Sequence, residues 1–337
     1  MKSVLKYYIK RRILVMICIS MLFIIIGFSI YQGSFLFPER DNLPVYVANN
    51  NPIPLVAKLG AVLATIIPIF EFSYKMRNKG IRKYEKFNLT KEKFFLTKYL
   101  VGYLEIIIPI FIYLITFYFR IILDPKGNLF NMDYYFLYYL VACFFVFIIY
   151  SIITFIYIKC HTIYDGVVCV GLSYIFGMSI VIFLYFIIPR LGNVYYFNDF
   201  YLYTITYPFQ IVTKYFVEVI DRPTLPVGYF ENFEKVRIIL NVILGITCFI
   251  LSIFTVKKEE ENLKGKANSW FSYKILIPPT IFFLGLFSLL NLHIIPVLIG
   301  YLLYVLYRRS FKIKIIDILL IISSILFFLL IHYLPYK

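Results

Sequence analysis

Residues 13 to 31 run for 19 positions without a charged side chain. At 1.5 Å per residue that is enough helix to cross the ~30 Å hydrocarbon core of a bilayer. Runs of this kind recur along the chain. A soluble core can hide one or two such helices from water, but a series of them fits only a lipid solvent. Ending each run at charge or at Pro, Gly and Asn clusters gives nine candidate helices, at 13–31, 53–72, 97–122, 134–158, 166–188, 237–256, 275–290, 294–307 and 315–333. The expected fold is all-α and polytopic.

Composition agrees. The 337 residues are 61% hydrophobic and 15% charged, against roughly 45–50% and about 25% in soluble domains. The basic residues ahead of the first run are like the start of a signal peptide. That run is long for a signal sequence, and its small-x-small candidate, Gly27-Phe28-Ser29, lies inside it, so it reads as a retained span. The five cysteines, Cys18, Cys143, Cys160, Cys169 and Cys248, have no CxxC or Cys/His spacing. They read as small apolar fillers, and no metal site is expected. The seventh run contains Pro278-Pro279 and is separated from the eighth by Asn291, Leu292 and His293; two short spans, a re-entrant pair or a kinked hairpin all fit.

Lys and Arg set the orientation. With the N-terminus in the cytoplasm, 24 of the 34 basic residues fall inside: Lys2 to Arg12, nine between Lys75 and Lys98, Lys159, five between Lys257 and Lys274, and four between Arg308 and Lys314. The positive-inside rule favours this arrangement. The net charge of +16 is therefore a topology signal. No compact basic fold or aromatic RNA-binding motif accompanies it, so nucleic acid is not an expected partner. Residues 2 to 12 mix basic and apolar character, as an interfacial helix against anionic lipid headgroups would.

Two loops stand out. Residues 189–236, outside by charge, are aromatic and interrupted by Pro189, Pro208 and Pro223. Short helices at the outer leaflet are expected there, serving as an exit gate or as aromatic anchors. Residues 257–273 read as a solvated cytoplasmic linker. Its Gly265-Lys266 lacks the rest of a phosphate loop, with Glu260 at the first glycine position and Ala267 where Ser or Thr belongs, so no ATP site is encoded.

The stretch EFSYKMRNKGIRKYEKFNLTKEKFF, residues 71–95, is the strongly polar loop between two apolar runs. Asn78 and Gly80 mark a break. Asn88 or Thr90 can cap a helix running through Lys91 into the third span, with Glu92 near its positive end. Such a knuckle can carry force, whereas a floppy loop cannot.

Glu71 at the end of the second span, a basic cluster containing Arg77, Gly80-Ile81 and then FNLTKEKFFLTKYLVGYL together resemble the first cytoplasmic loop of ABC-2 type transporter permeases. Leu89, Thr90, Lys91 and Lys98 look like that family's leucine, hydroxyl residue, basic residue and span-opening lysine; the proline that usually follows the leucine is not present. The layout is similar too, over residues 1–256: an N-terminal interfacial helix, six spans, a coupling loop at 73–96 and the extracellular loop at 189–236. Residues 257–337, a linker and about three further helices ending in YRRSFKIK and a last span, resemble the extension of antibiotic- and peptide-export permeases.

The resemblance implies a transmembrane subunit that is not itself an enzyme. It would pair with a second permease chain, as a homo- or heterodimer, and dock Glu71, Arg77, Gly80, Leu89, Thr90, Lys91 and Lys98 against cytosolic ATPase subunits. ATP and Mg would belong to those subunits, and this chain would bind no cofactor. The cargo would be an amphipathic peptide, drug or lipid, exported across a bacterial plasma membrane. The Ile-, Phe-, Tyr-, Lys- and Asn-rich usage fits an AT-rich bacterial genome.

Isolated polar residues leave other readings open. Glu105 lies about 12 Å into the third span. An intramembrane carboxylate is either paired, here with Lys98 or a basic residue of another helix, or it contacts a proton or substrate. The latter would suit an ion-coupled secondary transporter. A membrane transferase acting on a lipid-linked substrate is the further alternative. Arg120 and Lys58 can snorkel. His161, His293 and His332 are scattered, and His161 with Asp165 reads as a helix-capping pair.

Overall fold

The computed structural model describes residues 2–30, 52–76, 87, 89–123, 135–174, 232–258 and, near the C-terminus, 315, 318, 319, 322, 323, 325, 326 and 329. Among these residues every regular element is helical and none is a strand. Helix α1 covers Lys2–Ile30, α2 Pro52–Phe72 with a 3-10 turn at Ser73–Met76, α3 Lys91–Leu123, and α4 Tyr135–Ile158. Helix α5 covers Ile163–Tyr174, and α6 covers Asn232–Lys257. The expected helices at 275–290 and 294–307, and the outer loop up to the start of α6, lie outside the described residues.

Local sequence explains these boundaries. Pro52 opens α2, where its missing N–H costs nothing. Thr90 caps α3: the Lys93 N–H donates to Thr90 Oγ1 at 3.3 Å, and the Phe94 N–H donates to the Thr90 carbonyl at 3.0 Å. Glu92 stands in the first turn, where the helix dipole favours an anion. The 33 residues of α3 then run for about 50 Å. The expected interfacial helix at 2–12 and the first span are one continuous rod, because nothing between Lys2 and Ile26 breaks the helical pattern.

Helix α3 is the hub. Helices α1, α2, α4 and α6 all pack on it, and α4 also packs on α2 and α6. Gly245 lets α6 lie against α4: a methyl group there would come within 2.9 Å of Ile148 Cγ2 and 3.0 Å of Ile148 Cα. Small residues at such crossings permit close backbone approach. On α1 the buried residues Val4, Tyr8, Met16, Ser20 and Phe23 form one stripe at helical spacing.

The outward faces carry many large apolar side chains. Leu14 is 71% exposed and Ile25 65%. Ile239, Ile243, Ile250 and Phe254 of α6 are also exposed. Within the helices, hydroxyls bond to their own backbone: Ser20, Thr65, Thr97, Thr116, Ser151 and Ser252 each donate to the carbonyl four residues earlier. One stretch among the described residues, Lys91–Phe119, is long and apolar enough to cross a membrane.

The chain divides into two compact units. Met1–Ile158 with Thr206–Glu261 holds α1 to α4 and α6; Lys159–Ile205 with Asn262–Lys337 holds α5 and the C-terminal helical residues.

Candidate functional site

Three of the residues singled out in the sequence meet in the first unit. Glu71, in the last turn of α2, is 1% exposed. Its Oε2 accepts a hydrogen bond from Lys98 Nζ at 2.8 Å, and its Oε1 faces Arg12 Nη2 of α1 in an ion pair. Arg12 Nε lies 3.3 Å from Glu105 Oε1, also buried. The result is a quartet of two cations and two carboxylates drawn from α1, α2 and α3. Neither Glu71 Oε1 nor Glu105 Oε1 completes a well-aligned hydrogen bond among the described residues, so Arg12 holds both by charge.

Helix periodicity builds this arrangement. Lys98, Gly102 and Glu105 follow i, i+4, i+7 spacing and share one face of α3; Tyr8 and Arg12 share one face of α1. The Lys98 ammonium sits 3.9 Å from the centroid of the Tyr8 ring, a cation–π contact that shields its other side. Gly102 leaves room for the Tyr150 hydroxyl of α4. A methyl group at 102 would overlap that hydroxyl and come within 3.1 Å of Glu71 Cγ and 3.2 Å of Ile67 Cγ2. The Tyr150 hydroxyl is buried, has no hydrogen-bond partner among the described residues, and lies in the field of both carboxylates.

An aromatic collar surrounds the quartet. Tyr99 packs edge-on against Tyr150 at 4.8 Å and at a tilt against Phe249 of α6 at 4.9 Å. Its hydroxyl donates to Ser151 Oγ at 2.6 Å, since the Ser151 hydroxyl is spent on the Phe147 carbonyl. Towards the polar loop, Tyr8 and Tyr74 pack on Phe94 at 5.9 Å and 5.2 Å. Val4, Tyr8, Phe94 and Val101 form a core there, with Leu5, Ile9, Tyr74, Phe87 and Leu89 packed around it.

Leu89 is therefore half-buried against α1, while Thr90 is exposed and Lys91 begins α3. Arg77 and Gly80 lie outside the described residues. The ion pair expected for Glu105 with a basic residue on another helix is present, and the residue is Arg12. Its signal was in the sequence: Val4, Tyr8, Arg12, Met16 and Ser20 at four-residue spacing place Arg12 on the stripe that α1 buries. Tyr150 and Gly102 carried no comparable signal.

Chemically, a balanced buried quartet is costly to desolvate and contributes less to net stability than to register, since only one alignment of the three helices pairs every charge. It ties Arg12 of α1 to the end of α2 and the first half of α3.

A second cluster lies in the other unit. Cys160, in the turn before α5, and Asp165 and Cys169, on successive turns of α5, bring two sulfurs and a carboxylate oxygen within 4.8 Å of one another, all buried. The Cys169 thiol donates to Asp165 Oδ1 at 3.9 Å. Its hydrogen bond with Cys169, together with burial, raises the Cys160 thiol pKa well above its usual value. All five cysteines are free. Thr162 caps α5: its Oγ1 accepts from the Asp165 N–H at 3.1 Å and its carbonyl from the Gly166 N–H at 3.0 Å. The C-x4-D-x3-C spacing resembles no familiar ligand pattern.

Comparison with protein-family models, with curated proteins and with solved structures yields no match.

Proposed function

We propose that this chain is the membrane-spanning permease subunit of an ATP-driven exporter, crossing a bacterial plasma membrane several times with its N-terminus in the cytoplasm. A second permease chain and two cytosolic ATPase subunits complete it, and the ATPases bind ATP and Mg. The cargo class is amphipathic: a peptide, drug or lipid.

One observation carries the reading: the quartet of half-buried Arg12 with buried Glu71, Lys98 and Glu105 fastens both ends of the polar turn to α1. A turn that only fixed topology would need no such fastening. A turn pushed by a partner does, because force reaches the spans only if the joint is stiff. The capped start of α3 and the aromatic core around Tyr8 and Phe94 stiffen the same joint. The exposed apolar faces of α1 and α6 and the self-bonded hydroxyls suit helices surrounded by lipid.

The ion-coupled alternative asks Glu105 to exchange protons or cargo. Its pairing with Arg12 inside a charge-balanced group supports the fastening role instead. The test is gentle extraction of the chain from its native membrane. An ATP-hydrolysing subunit is expected to co-purify in defined stoichiometry; full transport by the isolated chain in vesicles would overturn the proposal.

A further inference from the structure

We infer that Cys160, Asp165 and Cys169 form a site for a borderline-soft divalent ion of the zinc class. Asp165 and Cys169 stand four residues apart on one face of α5, and Cys160 folds over them from the preceding turn. Ten residues of chain supply all three ligands, so little loop entropy is lost in assembling them. The cap from Thr162 to the Asp165 N–H fixes the carboxylate at the helix start.

The geometry fits the ion. Zinc bonds to sulfur at about 2.3 Å and to carboxylate oxygen at about 2.0–2.2 Å, which in a tetrahedron separates the ligand atoms by about 3.6–3.8 Å. The three ligand atoms already lie within 4.8 Å of one another, with Cys169 Sγ and Asp165 Oδ1 at 3.9 Å. Contraction by a few tenths of an ångström to about 1 Å closes the site without moving α5. Two sulfur donors select zinc-like ions over Mg or Ca, which take oxygen sets. Burial of all three side chains, at 1%, 4% and 0% exposure, keeps competing solvent away. Three ligands leave one tetrahedral position for water or another group. The remaining cysteines lie elsewhere in the chain, so they serve as internal controls.

The test uses the full-length protein in detergent, treated with chelator and then titrated with Co2+ and with Zn2+. The wild type is expected to bind one ion per chain, to show the intense visible bands of tetrahedral Co2+ and the thiolate-to-metal charge-transfer band, and to lose both when Zn2+ is added. The Cys160→Ser/Cys169→Ser variant is expected to lose at least ~10-fold in affinity, while a Cys143→Ser/Cys248→Ser variant keeps it. Asp165→Asn, which retains shape and cap, should shift the Co2+ spectrum and weaken binding. Absence of a charge-transfer band in the folded wild type, equal binding by the Cys160/Cys169 variant, or a Cys160–Cys169 disulfide in the freshly purified protein would each overturn the assignment. Because the wild-type spectrum decides the matter alone, a variant that fails to fold does not rescue it.

Discussion

Removing the Glu71 carboxylate should strand the buried Lys98 ammonium and the half-buried Arg12 guanidinium. Glu71 accepts from Lys98 Nζ at 2.8 Å and pairs with Arg12, and its side chain is wholly buried. At an effective dielectric near 20, each close pair is worth a gross ~5–6 kcal/mol. Desolvation offsets much of that in the intact protein, but deleting one partner leaves the other's cost uncompensated, typically about 3–5 kcal/mol. For Glu71→Ala we expect a loss of about 4 kcal/mol, or roughly 10 °C in melting temperature for a unit of this size. Glu71→Gln, which keeps the volume and one acceptor, should lose about half as much. The paired replacement Glu71→Leu/Lys98→Leu restores charge balance with the Arg12–Glu105 pair left in place, so it should be more stable than Glu71→Leu alone. A thiol-reactive dye reads the melt in a Cys18→Ser/Cys160→Ser/Cys169→Ser background, because Cys248, in the same unit as Glu71, is buried and becomes reactive on unfolding. Losses that simply add in the double variant, or a Glu71→Ala melting point within about 2 °C of wild type, would refute the fastening argument.

Two further perturbations probe the same joint. Thr90→Ala removes the α3 cap and should cost about 1 kcal/mol, with Thr90→Ser restoring it, by the same dye melt. Gly102→Ala forces a methyl into the space of the Tyr150 hydroxyl and should cost about 1–3 kcal/mol; Gly102→Ala with Tyr150→Phe should recover part of that loss.

The helices were legible where hydropathy is monotonous. The expected helices at 53–72, 134–158 and 237–256 match α2, α4 and α6 within a few residues, since long apolar runs form these helices and charge ends them. Thr90 as cap was legible from local chemistry. Three of the four members of the quartet were legible, because Glu71, Lys98 and Glu105 are conspicuous charges in or beside apolar runs. Arg12 was masked by its neighbours Lys10 and Arg11, which point the same way in a charge count although only Arg12 falls on the buried stripe. The role of Gly102 depends on where Tyr150 of another helix ends up, which is tertiary information. The Cys160–Asp165–Cys169 cluster needed the position of a turn, and turns carry the weakest periodic signal.

The most direct measurement is ATP hydrolysis by the proposed exporter complex in lipid nanodiscs with Lys91→Glu, at the start of α3, compared with wild type. The account predicts that the variant keeps its melting temperature and membrane insertion but loses most of the hydrolysis stimulated by the permease. Stimulation unchanged by the charge reversal, or cargo movement by this chain with no ATPase present, would contradict it.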